Sequence, residues 1–553
     1  MARPAALAAL RAVATECQAL AAGFSDEEAA EGLAIAVGLR ALFQRPAAAS
    51  AAVAGLAAQP PEPELLTVVP TDLLSIILSQ LDIRALACLA ATCRLLWCDA
   101  PTPSPVLRTP GLVETELRRR AETRSLHIGS SLPEGALSWV PYLLKRDFHD
   151  ALRREAPLAV GYSHSLFVDK EGRLHLACPR DAIKAEGVGE PLLGHDWGSD
   201  AGASTVSVPP TLVPSMKDKR IISVASGRSH CLALSAEGEV YSWGANAHGA
   251  LGHADGSVRA GPRRIEMLEG VESIAAGVIT SAAVDDRGRL FTWGCAAWGE
   301  KPAGLGYELD PATKLQLTKK RVDALSEDRV VGVALGYSLT LAVTDAGAVL
   351  SFGQSGTGAL GHGLSTSEVV PRRIEAPAET GRRFVAVAAG NVHSLALTEE
   401  GHVYGWGYEL ANGHGQGCTP QLVTALAGVR VLLVYAHECS SSAVTEKGEL
   451  YTWGEAPLNT FHLGHIVDAP QPTPKRVEAL SRVKVAAAAV GDRHTLVAGE
   501  DGVVWGFGER VTLGLGEVDA PPGDSEGEDS EDEDEGWVVQ PTPIPNIRVR
   551  TLP

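Results

Sequence analysis

The sequence predicts a mainly β protein in which seven repeated sheets close into a β-propeller, preceded by a smaller α-helical domain. Three observations predict this: a recurring glycine motif, short apolar runs broken by glycine, and a different pattern before residue 157. The chain has 553 residues, and a ring of seven sheets accounts for about the last 400 of them. The remainder is long enough for a second module.

Seven copies of one motif lie between residues 161 and 507. In the second copy, Gly227 is followed eleven residues later by Gly238 and five residues after that by Trp243. The matching positions of the later copies are Gly277, Gly288, Trp293; Gly336, Gly347, Phe352; Gly390, Gly401, Trp406; His437, Gly448, Trp453; and Gly491, Gly502, Phe507. The first copy, with Gly161, His164 and Gly172, is weaker. Glycine is 58 of 553 residues, so this concordance is not chance and indicates a repeat architecture.

Each copy reads as β-strands rather than helix. Residues 221–225, 231–234 and 239–243 are short apolar runs, and Glu237-Gly238 marks a hairpin turn. One such sheet cannot bury both of its faces, so the copies are expected to pack radially into a propeller. The terminal residues 547–552 resemble an opening strand, so we expect them to complete the first sheet and remove its open edge.

These motifs resemble the regulator of chromosome condensation repeat family over residues 157–553. The resemblance rests on the motif from Gly227 to Trp243, on Leu251-Gly252-His253 and on the later Pro262. It implies a structural role in the repeat for one set of residues: Gly227, His230, Gly238, Trp243, Trp293, Trp406 and Trp453. The first copy departs from the pattern with Ala177-Cys178, and the sixth has His437 at the glycine position.

Two short amphipathic helices are predicted after the proline-rich residues 60–63. Their apolar positions recur every three or four residues. The segment resembles an F-box at these positions: Pro70, Asp72, Leu73, Leu74, Ile77, Leu78, Leu81 and Leu86. The alternative is a helical hairpin that packs only on itself.

The F-box resemblance implies a partner, the Skp-type adaptor of a cullin-based ubiquitin ligase. In that family, apolar F-box side chains enter a helical groove on the adaptor. Periodicity does not separate leucines that contact a partner from leucines of the module's own core. The predicted organisation is an alanine-rich helical region (1–59), an F-box-like domain (64–100), a helical connector (101–156) and the propeller (157–553) with an acidic insertion (522–536).

Charge disfavours a nucleic-acid partner. The net charge is −19, and residues 524–535 contain nine acidic residues. The basic groups at 118–120, 145–146 and 153–154 alternate with acidic residues, as on a solvated connecting helix. The acidic run is expected to be a solubilising loop, with capture of a basic partner as the alternative.

Other classes are also disfavoured. No apolar stretch is long enough to cross a membrane, and the nine cysteines form no Cys-x-x-Cys pair, so neither a disulfide framework nor a metal site is predicted. No cofactor is predicted either. These features are typical of a cytoplasmic or nuclear protein.

No catalytic residue is predicted. His164, His230, His393 and His494 share one motif position, but Leu339 and Ser440 replace them elsewhere, so they are expected to be buried hydrogen-bonding residues. His195, His253, His362 and His465 belong to a loop motif and are expected to stabilise turns. No phosphate-cradling loop or Ser-His-Asp order stands out.

The sequence therefore predicts a non-catalytic adaptor that binds an unidentified protein substrate. The alternatives are nucleotide exchange on a Ran-like small GTPase, as the founding family member performs, and a scaffold without a ligase. Ultraviolet sensing in the plant relative uses tryptophans after the motif glycine, and these positions here hold Tyr162, Arg228, Val278, Tyr337, Asn391, Glu438 and Asp492. Residues 180–219, 296–328 and 517–540 depart from the repeat and are the expected contact loops.

Overall fold

The computed structural model describes residues 117–118, 155–179, 207–246, 248–295, 304–309, 315–375, 382–415, 417–455, 461–465, 469–515 and 537–551. The alanine-rich region, the F-box-like segment, most of the predicted connector and the acidic insertion lie outside these residues. The chain divides into two units, residues 1–150 and 151–553, and all the strands below belong to the second.

The second unit contains seven four-stranded antiparallel sheets, here called blades 1 to 7 in chain order. Blade 1 contains β1 (Leu158–Val160), β2 (Ser165–Val168), β3 (Leu174–Pro179) and β4 (Ser207–Leu212). Blade 2 contains β5 (Ile221–Ser226), β6 (His230–Ser235), β7 (Val240–Gly244) and β8 (Arg259–Arg264). Blade 3 contains β9 (Val271–Ala276), β10 (Thr280–Asp285), β11 (Leu290–Cys295) and β12 (Leu315–Arg321).

The remaining blades repeat this order. Blade 4 contains β13 (Val330–Leu335), β14 (Leu339–Thr344), β15 (Val349–Gly353) and β16 (Glu368–Arg373). Blade 5 contains β17 (Phe384–Ala389), β18 (His393–Thr398), β19 (Val403–Gly407) and β20 (Gly417–Leu422). Blade 6 contains β21 (Val431–His437), β22 (Ser440–Thr445), β23 (Leu450–Gly454) and β24 (Gln471–Arg476). Blade 7 contains β25 (Val485–Val490), β26 (His494–Gly499), β27 (Val503–Glu509), a short helix α1 (Arg510–Leu513) and β28 (Trp537–Arg548).

The blades form a closed ring. The first strand of each blade contacts the first strand of the next, and β25 of blade 7 contacts β1 of blade 1. The first strands therefore line the centre, and the fourth strands form the outer rim. This confirms the prediction of a mainly β, seven-bladed propeller.

The hydrophobic core lies between neighbouring blades. Seven clusters of buried side chains each combine residues of two adjacent blades, including blade 7 with blade 1. Second strands such as β6, β10 and β18 are buried along their whole length. Because each sheet is covered on both faces, β6 and β18 carry a Leu-Ala-Leu run instead of an alternation of apolar and polar residues.

The glycine spacing follows from the hairpins. At the β6–β7 turn, Gly238 has a φ of 78°, and its amide donates to the carbonyl of Ser235 over 3.0 Å. This left-handed backbone is accessible to glycine without strain. A glycine is therefore required eleven residues after the motif glycine.

The ring closes differently from the prediction for residues 547–552. Ile547 and Arg548 belong to β28, which is the fourth strand of blade 7 and not a strand of blade 1. Blade 1 obtains all four strands from residues 158–212. The C-terminal segment instead links the two blades, because the amide of Val549 donates to Gly502 of blade 7 and the amide of Arg550 donates to Val168 of blade 1.

The regions predicted to be contact loops contain outer strands. β4 and β12 lie within residues 180–219 and 296–328, and β28 begins within residues 517–540. These regions are therefore not loops throughout, and their role in partner contact stays a prediction. Outer strands have one solvated edge and carry polar sequences such as Leu-Gln-Leu-Thr-Lys-Lys-Arg of β12, so they lack the apolar pattern that identified the inner strands.

Among the described residues, no helix is long and apolar enough to span a membrane.

Candidate partner-binding face

One mouth of the propeller is built from the turns between the first and second strands. The residue after the motif glycine lies in each turn: Tyr162, Arg228, Val278, Tyr337, Asn391, Glu438 and Asp492. Neighbouring turns are hydrogen bonded, since the amide of Tyr162 donates to Arg228 and the amide of Asn391 donates to Glu438 over 2.8 Å. The repeat thus brings these seven variable side chains to one face around the axis.

Charged residues concentrate on the blade 6, 7, 1 and 2 side of this mouth. The ring of Tyr162 lies 4.1 Å from the guanidinium of Arg493 and 5.0 Å from that of Arg228, both measured to the ring centroid. Arg493 also forms a 2.8 Å ion pair with Glu509 and a hydrogen bond with the hydroxyl of Tyr162. We call the following residues the mouth cluster: Tyr162, Arg228, His437, Glu438, Asp492, Arg493 and Glu509.

The acidic half of the mouth cluster contains a close His–Asp pair. Nδ1 of His437 lies 2.5 Å from Oδ1 of Asp492, in the alignment of an ion pair rather than of a linear hydrogen bond. Burial would lower the pKa of His437, but Asp492 and Glu438 outweigh it and raise that pKa. Burial would likewise raise the pKa of Asp492, but His437 and Arg228 hold it below its usual value. Both shifts favour the charged forms of the pair, an imidazolium beside a carboxylate.

Two further carboxyls of the mouth cluster have a raised pKa, in contrast to Asp492. Burial and the charge of Asp492 raise the pKa of Glu438, whose backbone has a φ of 41°. Burial raises the pKa of Glu509, and Arg493 opposes this change. A non-glycine residue in the left-handed region costs conformational energy and is enriched at functional sites. The mouth therefore presents a half-buried set of coupled charges to a partner.

The repeated histidines connect adjacent blades. Nε2 of each lies near a serine hydroxyl of the next blade: His164 with Ser226 (2.5 Å), His230 with Ser281 (2.9 Å), His393 with Ser441 (2.7 Å) and His494 with Ser165 (2.7 Å). All four are buried, and burial lowers their pKa to about 3 or 4. They are neutral structural groups, as the sequence predicts, and the last pair joins blade 7 to blade 1.

Blade 6, one of the blades that lack this histidine, has a substitute. Ser440 stands at the histidine position in blade 6, and its hydroxyl lies 2.6 Å from Nε2 of His462. The carbonyl of His462 accepts a hydrogen bond from Thr495 of blade 7. Both Ser440 and His462 are buried, so this Ser–His contact has no access to a substrate.

The repeat tryptophans also join neighbouring blades. The indole Nε1 of Trp293, Trp406 and Trp453 donates to the carbonyl of Ala250, Ala359 and Ala411 respectively, over 2.7 to 2.9 Å. Each acceptor belongs to a loop of the preceding blade. Trp243 is buried in the cluster between blades 1 and 2.

The motif glycine is required for close approach between blades. A Cβ atom on Gly227 would lie 2.2 Å from the ring of His230 and 2.3 Å from the carbonyl oxygen of Gly277 in blade 3. No side chain fits there without movement of the backbone.

The loop histidines stabilise turns. Nε2 of His253, His362 and His465 lies 2.9 to 3.1 Å from the hydroxyl of Ser242, Ser351 and Thr452 in the same blade. Each hydroxyl donates in turn to the leucine carbonyl of its Leu-Gly loop. His195 lies outside the described residues.

The F-box-like residues also lie outside the described residues: Pro70, Asp72, Leu73, Leu74, Ile77, Leu78, Leu81 and Leu86. Within the described part of the chain, no group of three or more His, Cys, Asp or Glu side chains has the geometry of a metal site. Sequence reasoning named the seven mouth positions only as places that lack the sensing tryptophans, and it did not single out Arg493 or Glu509. Their signal was a basic residue one position further along the motif and an acidic residue at the end of β27.

Profiles described as regulator of chromosome condensation (RCC1) repeat match residues 237–284, 346–397 and 447–498, and a second profile of that description matches 221–250 and 384–416. The human E3 ubiquitin-protein ligase HERC2 is 39% identical over 328 residues, which are 58% of this chain and 6% of HERC2. The ultraviolet-B receptor UVR8 of Arabidopsis thaliana is 35% identical over 219 residues, which are 39% of this chain and 46% of UVR8. The chain thus matches less than half the length of either relative.

Two solved structures share the fold. Prp20p of Saccharomyces cerevisiae has a TM-score of 0.54 and 22% identity, covering 76% of this chain and 91% of Prp20p. Human WBSCR16 has a TM-score of 0.51 and 21% identity, covering 62% of this chain and 87% of WBSCR16. The second unit of this chain is therefore a seven-bladed propeller that carries regulator of chromosome condensation repeats.

Proposed function

We propose that the chain is a non-catalytic protein-interaction adaptor, the substrate-recognition subunit of a cullin-type ubiquitin ligase. In this proposal the N-terminal segment binds a Skp-type adaptor, and the propeller binds the protein to be ubiquitinated. The observation that carries the proposal is the combination of an F-box-like motif at residues 70–86 with a closed propeller that has a charged mouth. HERC2, a relative of the propeller, is itself named as a ubiquitin ligase.

The chemistry of the described residues supports binding rather than catalysis. The Ser–His contacts between blades are buried, whereas charged groups of the mouth cluster are paired with one another in half-buried positions. Half-exposed charges favour a partner of complementary charge, and they increase the rate at which that partner associates. We place this activity in the cytoplasm or the nucleus.

Binding to a Skp-type adaptor tests the proposal. Apolar anchors in a groove are each worth about 1 to 3 kcal/mol, so a Leu73→Asp, Leu74→Asp, Ile77→Asp variant should lose binding measurably by calorimetry. The matched control makes the same type of change at exposed propeller residues: Val258→Asp, Leu364→Asp and Val370→Asp. We expect submicromolar binding by the wild type and the control, with circular dichroism showing that all three chains are folded. Absence of binding by the folded wild type would reject the ligase-adaptor proposal.

A second candidate is regulation of, or nucleotide exchange on, a Ran-like small GTPase. It is favoured by the similarity to Prp20p, whose structure is titled for its binding properties to Gsp1p and histones. In this candidate function, the charged side chains of the mouth cluster contact the GTPase. The test measures the release of fluorescent GDP from a Ran-type GTPase after addition of a substoichiometric amount of this chain. Acceleration that is lost in Glu438→Gln, Asp492→Asn would favour this candidate, whereas no acceleration and no adaptor binding would leave a scaffold.

A further inference from the structure

The outer rim is basic on three consecutive blades. β8, β12 and β16 contain three, three and two Arg or Lys residues respectively, and one acidic residue, Glu368. The chain as a whole has 48 basic and 67 acidic residues. A cationic strip on such an acidic protein is a local feature that overall composition does not explain.

The fold does not require these charges. Two adjacent positions of each outer strand face equivalent positions of the third strand, for example Arg263 opposite Ser242 and Arg264 opposite Tyr241. In blades 2, 3, 4 and 6 the two positions hold Arg263 and Arg264, Lys320 and Arg321, Arg372 and Arg373, and Lys475 and Arg476. In blades 1, 5 and 7 they hold Thr211 and Leu212, Gln421 and Leu422, and Thr542 and Pro543. Charges that only protect strand edges would be needed on every blade.

The three basic strands form one continuous surface. Nζ of Lys319 in blade 3 contacts the carbonyl of Glu266 in blade 2. Arg373 of blade 4 lies 3.5 Å from Asp328, which follows β12 of blade 3. We call the surface formed by β8, β12 and β16 the basic arc; the turns beside these strands carry acidic residues that pair with its arginines, namely Asp255, Asp323 and Asp328. Blade 6 is separated from it by the neutral outer strand of blade 5.

Exposed apolar side chains lie on the same arc. Among the described residues, four large hydrophobic side chains are exposed: Val258 (52%), Met267 (88%), Leu364 (61%) and Val370 (50%). Val258 and Met267 flank β8, and Leu364 and Val370 lie before and within β16. Exposed apolar residues grouped with charges are typical of protein-binding surfaces.

Met267 has the clearest indication of function in this set. Its backbone has a φ of 56°, a region that side chains other than glycine rarely adopt. The equivalent position lies in the turn after the fourth strand. It holds Ala324 after blade 3, Ala425 after blade 5 and Ala479 after blade 6. Strained backbone is therefore combined with a flexible apolar side chain in solvent, and methionine is a common residue of adaptable binding surfaces.

We propose that the basic arc binds an extended acidic segment of a partner protein, with apolar side chains of that segment at the two ends of the arc. Carboxylates of the segment replace the arc's own exposed ion pairs, such as Arg372 with Glu368 and Arg321 with Asp323, which contribute little to stability. Pro262 and Pro371 lack an amide hydrogen in β8 and β16, so side chains rather than added strand pairing provide the contacts. The arc's apolar ends favour a protein segment over a nucleic acid.

The proposal does not depend on binding of a Skp-type adaptor by the N-terminal segment. Affinity is measured by fluorescence anisotropy between the full chain and a labelled peptide of repeating Glu-Glu-Leu. The arc variant is Arg263→Gln, Lys320→Gln, Arg372→Gln, one change per blade at the same register position. The charge-matched control is Lys447→Gln, Lys475→Gln, Lys484→Gln, exposed lysines of blades 6 and 7. Three exposed charges are worth about a tenfold change in affinity in total.

The expected result is a loss of affinity of about tenfold in the arc variant and less than about twofold in the control, with unchanged circular dichroism in both. Met267→Ser, Leu364→Ser should weaken the Glu-Glu-Leu peptide but leave binding of a polyglutamate peptide unchanged. No binding by the wild type, or equal losses in the arc and control variants, would overturn the proposal. Tighter binding of a single-stranded oligonucleotide than of the peptide, or a dimer that the arc variant dissociates, would also overturn it.

Discussion

Buried histidines connect the blades at the scale of single residues. His393 illustrates the arrangement, because its ring packs beneath Gly390 and its Nε2 lies 2.7 Å from the hydroxyl of Ser441. Burial lowers the pKa of His393 to about 3. The folded chain therefore keeps this histidine neutral at a pH where the unfolded chain binds a proton. The contribution of His393 to the free energy of unfolding is therefore fully present above about pH 6.5 and is lost as the pH decreases towards 3.

Replacement of His393 by the residue that blade 4 uses at this position tests the linkage. His393→Leu should cost about 1 kcal/mol at pH 7, because the hydrogen bond to Ser441 is lost. Between pH 7 and pH 5, however, the variant should lose about 2 kcal/mol less than the wild type. Urea unfolding at the two pH values measures both effects. Ser441→Ala is the control, since it removes the hydrogen bond but keeps a buried histidine, and parallel pH dependence of His393→Leu and the wild type would refute the linkage.

The four strands of a blade differed in how well the sequence predicted them. Strands one to three were predicted because apolar runs, hairpin glycines and aromatic residues recur at fixed offsets, as in residues 231–243. The fourth strands were missed, because an outer strand with one solvated edge has no apolar period, and Arg259–Arg264 reads as a polar loop. The basic arc consists of such strands, so its charges could be counted in the sequence but not placed on one surface.

The C-terminal segment was predicted to close the ring as a strand, but it does so through a short link between blades. Val549 is fully buried in the cluster between blades 7 and 1, and a β-bridge pairs it with Asp169. The resemblance of residues 547–552 to an opening strand was misleading, because β1 already occupies that position.

Val549→Ala should therefore destabilise the propeller by about 2 kcal/mol, since it removes buried methyl groups at the junction of the two ends of the ring. Val258→Ala makes the same chemical change at an exposed residue and should alter the free energy of unfolding by less than about 0.5 kcal/mol. Denaturant unfolding distinguishes the two variants. Equal values for both would show that the C-terminal segment does not contribute to closure.

The chain combines a closed propeller with an N-terminal segment to which we assign adaptor binding as a proposal. Because the seven inter-blade cores form a complete ring, the mouth cluster and the basic arc are fixed surfaces on different parts of one rigid scaffold. The sequence predicted the fold, since repeats encode it seven times. It did not predict the candidate site, because pairs such as His437 with Asp492 and Tyr162 with Arg493 join residues of different blades.

Sedimentation velocity of the full chain mixed with a Skp-type adaptor and the labelled Glu-Glu-Leu peptide tests the proposed ligase role most directly. We expect adaptor and label to sediment together with the chain, because they bind different parts of the molecule. In the Leu73→Asp, Leu74→Asp, Ile77→Asp variant the adaptor should be released while the label remains bound. An adaptor that sediments alone beside the folded wild-type chain would contradict the proposed role as a ligase subunit.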